Sequence, residues 1–168
     1  MKKFNTKTIV TMGVLVAMHI ILSRFLSINA WHLKIGFTFV PVFMAACLFG
    51  PVAAGIVGGL GDFLGAILFP IGPYFPGFTL TCALTGVLYG LFFHKKQTWP
   101  RILAAVLVNQ FGISLFITTL WISVLYGSAY WPLLASRIGQ CLILAPLEFV
   151  VMVAMTKPIA YYRKEVLA

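Results

Sequence analysis

Arg24, Asp62, Arg137 and Glu148 stand inside stretches that are otherwise almost wholly apolar, and Lys34 lies between two such stretches. An ionisable side chain in the middle of a membrane helix costs about 2.5–3.5 kcal/mol on insertion scales, so those that persist face a polar cavity or one another. The chemistry open to this set is recognition. Arginine presents a planar fork that holds carboxylates through charge-assisted hydrogen bonds, and an aspartate accepts hydrogen bonds from an amino edge. Phe37, Tyr74, Phe75 and Phe78 can flank a flat ring system. Asn109 and Gln110 lie midway along a further apolar stretch, where one can serve a ligand and the other can bond across helices. Plainer readings stand beside these. Arg24 can snorkel to headgroups, Asp62 and Arg137 can form an internal pair, and the aromatics can be packing or interface anchors. Glu148 reads as deeper, nearer the opposite face, in a structural or partner-facing role.

The marks of an enzyme are missing. The chain has no His-Glu-x-x-His, no Gly-x-Ser-x-Gly and no Cys-x-x-Cys, and Gly58-Gly59-Leu60-Gly61 lacks the Lys-Ser/Thr that a phosphate cradle needs. ATP hydrolysis is therefore expected elsewhere. His19, His32 and His94 fall in a span and two different loops, so no shared metal and no cofactor are expected. Cys47, Cys82 and Cys141 are odd in number and scattered through apolar runs, which argues against a disulfide framework.

The elements that must position these groups are membrane helices. The 168 residues are 61% hydrophobic and only 9% charged, with a mean hydropathy of +1.03, where a soluble domain carries about 25% charged residues. Roughly 20 helical residues cross a bilayer core. The chain divides into six spans: Thr8–Leu26, Ile35–Phe49, Val52–Phe69, Gly77–Phe93, Ile102–Tyr126 and Pro132–Met155. The second is short and carries Pro41, so tilt, a kink or shelter by neighbours is expected. The fold expected is an all-α integral membrane protein, a six-transmembrane-helix bundle forming one domain over residues 1–168. The third span is rich in glycine around Asp62, a bare surface that can seat a neighbouring helix or a flat ligand. Gly13 and Ala17 form a small-xxx-small pair in the first span, a pattern that allows close helix contact.

The net charge of +9 is distributed as a topology signal, not as a nucleic-acid footprint. Lys2, Lys3 and Lys7 precede the first span, Lys95, Lys96 and Arg101 lie between the fourth and fifth, and Lys157, Arg163 and Lys164 follow the sixth. All fall on one side, so both termini are expected in the cytoplasm, N-in/C-in, with some attraction to anionic lipid. The basic start followed by an apolar run mimics a signal peptide, but no small-residue cleavage site follows it, so the segment is read as the first span. Pro70–Gly77 is an external loop whose prolines restrict it and whose glycines leave pivots, which suits either an ordered lid or a tight connection.

At this point the residues resemble a known family. Phe37-Thr38-Phe39-Val40-Pro41, Leu48-Phe49-Gly50-Pro51, Gly61-Asp62-Phe63-Leu64-Gly65-Ala66 and the run from Phe69 through Pro70-Ile71-Gly72-Pro73-Tyr74-Phe75-Pro76-Gly77-Phe78-Thr79 to Leu80 resemble the folate-specific substrate-binding S components of energy-coupling factor (ECF) vitamin transporters. The likeness covers the whole chain but is most specific between Phe37 and Gly90. It implies a bacterial cell-membrane protein that captures a vitamin from outside. It also implies a shared module of a transmembrane T component and two cytoplasmic ATPase subunits, with the S component toppling to deliver its substrate. Gly13 and Ala17 would then meet the partner, although the family has alanine where Gly13 stands here.

Folate agrees with the charged set. Its pterin edge would meet Asp62, its glutamate tail Arg24, Arg137 or Lys34, and its rings the aromatics, with Phe37 and Gln110 also lining the site. The competing readings are an S component for thiamine, riboflavin or pantothenate, and a non-transport integral membrane subunit or enzyme.

Overall fold

The structure is a computed structural model that describes residues 6–30, 33–94 and 97–167, without the side chains of 28–30, 33–35 and 162–167. Lys2, Lys3, Trp31, His32, Lys95 and Lys96 lie outside the described residues, and so do the side chains of Lys34, Arg163 and Lys164. The elements in chain order are α1 (Thr6–Arg24), a hairpin of β1 (Ile28–Ala30) and β2 (Leu33–Ile35), α2 (Phe39–Phe49), α3 (Pro51–Leu68), α4 (Pro76–Phe93), α5 (Trp99–Leu107), a π-helical segment (Val108–Thr118), α6 (Thr119–Tyr126) and α7 (Tyr130–Leu167). The π-helical segment joins α5 and α6 into one fifth span, Trp99–Tyr126. Among the described residues, five helices are long and apolar enough to cross a membrane, and Phe39–Phe49 is the shorter sixth.

Helix starts follow the prolines. Pro51, Pro76 and Pro100 occupy the first turns of α3, α4 and α5, where a missing N–H costs no intrahelical bond. Gly50, at φ 93°, makes the sharp α2–α3 turn, and Gly127, at φ 63°, ends α6.

The second span differs from its expected bounds. Ile35, the expected first residue, is the last of strand β2, which pairs Lys34 with Asn29 across the hairpin, and the helix begins only at Phe39. Pro41 therefore falls in the first helical turn, where it needs no kink. The helix packs against α1, α3, α4 and α7, and most of its residues are buried. Shelter by neighbours is thus what makes eleven residues sufficient. Its Phe43 meets Phe93 of α4 edge to face at 5.0 Å.

The glycines of α3 and α4 seat helices. A Cβ on Gly58 would come within 2.5 Å of the Cys82 carbonyl, one on Gly86 within 2.2 Å of the Ala54 carbonyl, and one on Gly90 within 2.1 Å of the Pro51 backbone. The α3–α4 seam is therefore backbone against backbone. On the other flank, Gly61 and Gly65 receive His19 and Arg24 of α1.

Antiparallel succession puts Thr6, the α4–α5 connection and the end of α7 on one membrane face. The positive-inside rule makes that face cytoplasmic. In a background with Cys47, Cys82 and Cys141 replaced, an impermeant thiol reagent added outside should label Ser128→Cys and spare Gln97→Cys. The reverse labelling would invert the topology.

Candidate functional site

Two polar layers occupy the bundle. The outer one forms where α3, α4 and the Phe69–Phe75 loop meet. Thr79 Oγ1 donates to Asp62 Oδ2 at 3.0 Å and lies 3.4 Å from the Tyr74 hydroxyl. Tyr74 packs edge-on against Phe63, with centroids 5.9 Å apart. Asp62 is buried, whereas Tyr74 is largely exposed. Across from this cluster, Phe75 lies 5.5 Å from Trp121 and 6.0 Å from Phe78. Trp121 Nε1 donates to Thr81 Oγ1 at 3.1 Å. The loop thus rests on the outer end of the fifth span, and a Cβ on Gly77 would collide with both Phe75 and Trp121.

The cations sit on separate walls. Arg24 lies over Gly65, with Nε 3.1 Å from where a Cβ would be, one turn beyond Asp62 on α3. That Nε is buried without a hydrogen-bond partner. Arg137 is only 4% exposed, and its Nε and Nη1 also have no hydrogen-bond partner. The internal Asp62–Arg137 pair is not formed here: the carboxylate has Thr79, and α3 packs on α1, α2 and α4 while α7 packs on the fifth span and α2. Strand β2, which carries Lys34, touches α7. Phe37 is exposed at the outer end of α2, its ring 6.1 Å from that of Phe39.

The inner layer gathers groups that sequence reading did not bring together. Tyr89 Oη donates to Glu148 Oε1, and Gln110 Nε2 donates to Glu148 Oε2 at 2.7 Å. Asn109 Nδ2 donates to Tyr89 Oη at 2.8 Å, and Thr85 Oγ1 donates to Asn109 Oδ1 at 3.0 Å. Glu148 is 1% exposed. It therefore faces the interior and cannot meet a partner protein, which corrects half of its expected role. Asn109 and Gln110 are neighbours in sequence, yet both are buried in this layer. On an α-helix they would diverge by about 100°; the wider turn of the π-helical segment turns both inward, and such segments recur at functional sites. A signal for Tyr89 and Thr85 was present in the sequence: Thr81, Thr85 and Tyr89 recur every four residues on α4, one polar stripe along one face.

Gly13 and Ala17 are exposed on the side of α1 away from its buried Leu15, His19 and Ser23. A Cβ on Gly13 would meet nothing within 4 Å.

Residues 7–156 match the family described as "ECF transporter, substrate-specific component". The chain belongs to that family. This substrate-specific component is a multi-pass protein of the bacterial membrane. It is 40% identical over 152 residues to the Folate transporter FolT of Clostridium novyi (strain NT), covering 90% of this chain and 87% of that protein. It is 29% identical over 153 residues to the Folate transporter FolT of Leuconostoc mesenteroides subsp. mesenteroides, covering 87% and 82%. A solved structure described as "Crystal structure of FolT bound with folic acid" superposes with a TM-score of 0.87 at 37% identity, covering 92% of this chain and 95% of that one. The six-helix layout of this component is that of the superposed structure.

Proposed function

We propose that this substrate-specific component binds folate with high affinity from the outer face and delivers it through a transmembrane T component driven by two cytoplasmic ATPase subunits. The observation that carries the reading is Arg137. A guanidinium taken out of water with two nitrogens unpartnered demands an anion, and the carboxylates of a glutamate tail supply one. Arg24 adds positive charge at the outer end of α1, and Lys34, whose side chain lies outside the described residues, is kept as a candidate for the tail. Phe37, Tyr74, Phe75 and Phe78 supply ring faces, and Gln110 lies below them. Asp62, tied to Thr79 and close to Tyr74, holds the external loop against α3 beside the site. The relatives named for folate transport support the ligand, and the family supports the shared module. Gly13 and Ala17 belong to the surface that meets the module.

The test is titration of the purified chain in detergent with folate, thiamine, riboflavin and pantothenate, read by tryptophan fluorescence and calorimetry. Folate should saturate it at one site, and hydrogen exchange over Tyr74–Phe78 should slow on binding as the loop orders. Saturation by one of the other vitamins, with none by folate, would overturn the assignment. Unchanged exchange in the folate-bound protein would leave the loop as a plain connection and remove it from the site.

A further inference from the structure

Among the described residues Arg137 has no counter-ion. The chain holds only three carboxylates. Asp62 is bonded to Thr79 on the α3–α4 side of the bundle. Glu148 stands eleven residues further along α7, about 16 Å inward, and both its oxygens are taken by Tyr89 and Gln110. Glu165 is 28 residues along the same helix, about 42 Å away. A guanidinium buried without a partner is strongly unfavourable, so a mobile anion must neutralise it whenever the substrate does not.

Thr119 is the second observation. It is fully buried, and its Oγ1 has no hydrogen-bond partner. It also stands level with Arg137. Cys141 lies against Ser114 and the Gln110 carbonyl, which sets α7 in register with the fifth span. Arg137 is four residues outward from Cys141, about 6 Å. The antiparallel fifth span turns more widely through its π-helical segment and so rises less per residue; five residues outward from Ser114 bring it to Thr119. There α6 begins, and it packs on α7. Arg137 Nε and Nη1 and Thr119 Oγ1 thus offer N–H and O–H donors at one depth. The outer half of the chain also sets Arg24, Lys34 and Arg137 against Asp62 alone, and a site lined by one sign of charge concentrates the opposite ion.

We infer that Arg137 and Thr119 form a small-anion site, held in the folate-free protein by chloride from the outer medium, and that folate exchanges a tail carboxylate for that ion. The inference rests on the folate reading above. Chloride accepts from the guanidinium and the hydroxyl, and the carboxylate takes over the same donors. Folate capture is then an exchange of one anion for another, so its apparent affinity falls as chloride outside rises.

The experiment titrates the purified chain at equal ionic strength in sodium chloride and in sodium gluconate, an anion too large for an enclosed site. Screening acts alike in both salts. Folate should bind at least about threefold more weakly in about 0.3 M chloride than in gluconate, because a competing ion lowers apparent affinity by mass action. Pteroate, which lacks the tail, should differ by less than about 1.5-fold between the salts. Arg137→Ala should remove the difference for folate. Thr119→Val should reduce it to below about 1.5-fold, since one hydrogen bond lost to a charged group weakens the ion about tenfold. Without folate, the melting temperature of wild type should be higher in chloride than in gluconate, and that of Arg137→Ala should be the same in both. Equal folate affinities in the two salts, or a chloride effect that persists in Arg137→Ala, would overturn the inference. If wild type binds no folate in either salt, the parent reading falls, and the melting comparison still decides the anion site: equal melting temperatures of wild type in the two salts reject it.

Discussion

Replacing Arg137 with alanine should weaken folate binding by roughly 10- to 100-fold while moving pteroate by no more than about threefold. Hydrogen bonds to charged groups contribute about 1.5–3 kcal/mol, and each factor of ten corresponds to about 1.4 kcal/mol. The selectivity is the informative part. Arg137 has no internal partner that its removal would strand, because Nε and Nη1 are unpaired and Asp62 is held by Thr79. Losing it should therefore not lower the stability of the ligand-free protein; it removes a buried charge. Arg137→Lys should fall between, since a point charge replaces a two-pronged fork. Calorimetric titration of both variants with both ligands checks this. A loss equal for folate and pteroate would place Arg137 away from the tail.

Gly13→Leu and Ala17→Leu should abolish folate uptake in cells yet leave binding by the purified protein within about twofold of wild type, because a change this far from α1's buried side stays within the usual range of surface substitutions. Both residues are exposed on the side of α1 opposite its buried residues, and the space over Gly13 is open. A leucine there has nothing internal to strike, so its bulk can act only on what approaches from outside. Uptake of labelled folate in parallel with binding by the isolated chain makes the comparison. If binding falls with uptake, the two positions serve the internal fold.

Long apolar runs made the spans readable, and the prolines and glycines made their ends readable. Bilayer thickness and hydrogen-bond loss act locally, so residue order suffices to see them. Asp62 and Arg137 were recognisable as buried because their neighbours are apolar. Three things were hidden. Residues 35–49 read as one apolar run, and periodicity cannot say that Ile35 closes a strand and that the helix begins only at Phe39. The π-helical segment is a property of backbone pairing, with no residue signature. The inner layer joins Tyr89 to Glu148 across 59 residues, and only the packing of α4, the fifth span and α7 brings them together. Glu148 was legible as an anomaly, but its companions were not.

The short α2 has a further meaning. Eleven residues rise about 16 Å, roughly half the depth of a hydrocarbon core. Five spans are long enough to run the full height, while α2, packed on α1, α3, α4 and α7, reaches from the inner face only to about mid-depth. Beyond Phe39, among the described residues, the chain continues outward as the β1–β2 hairpin and its connection and not as helix. Loops of this kind open at lower free energy than core helices do. Helix packs on helix around α2, whereas the chain beyond its outer end is connection, and the boundary between the two is drawn by where that one helix begins.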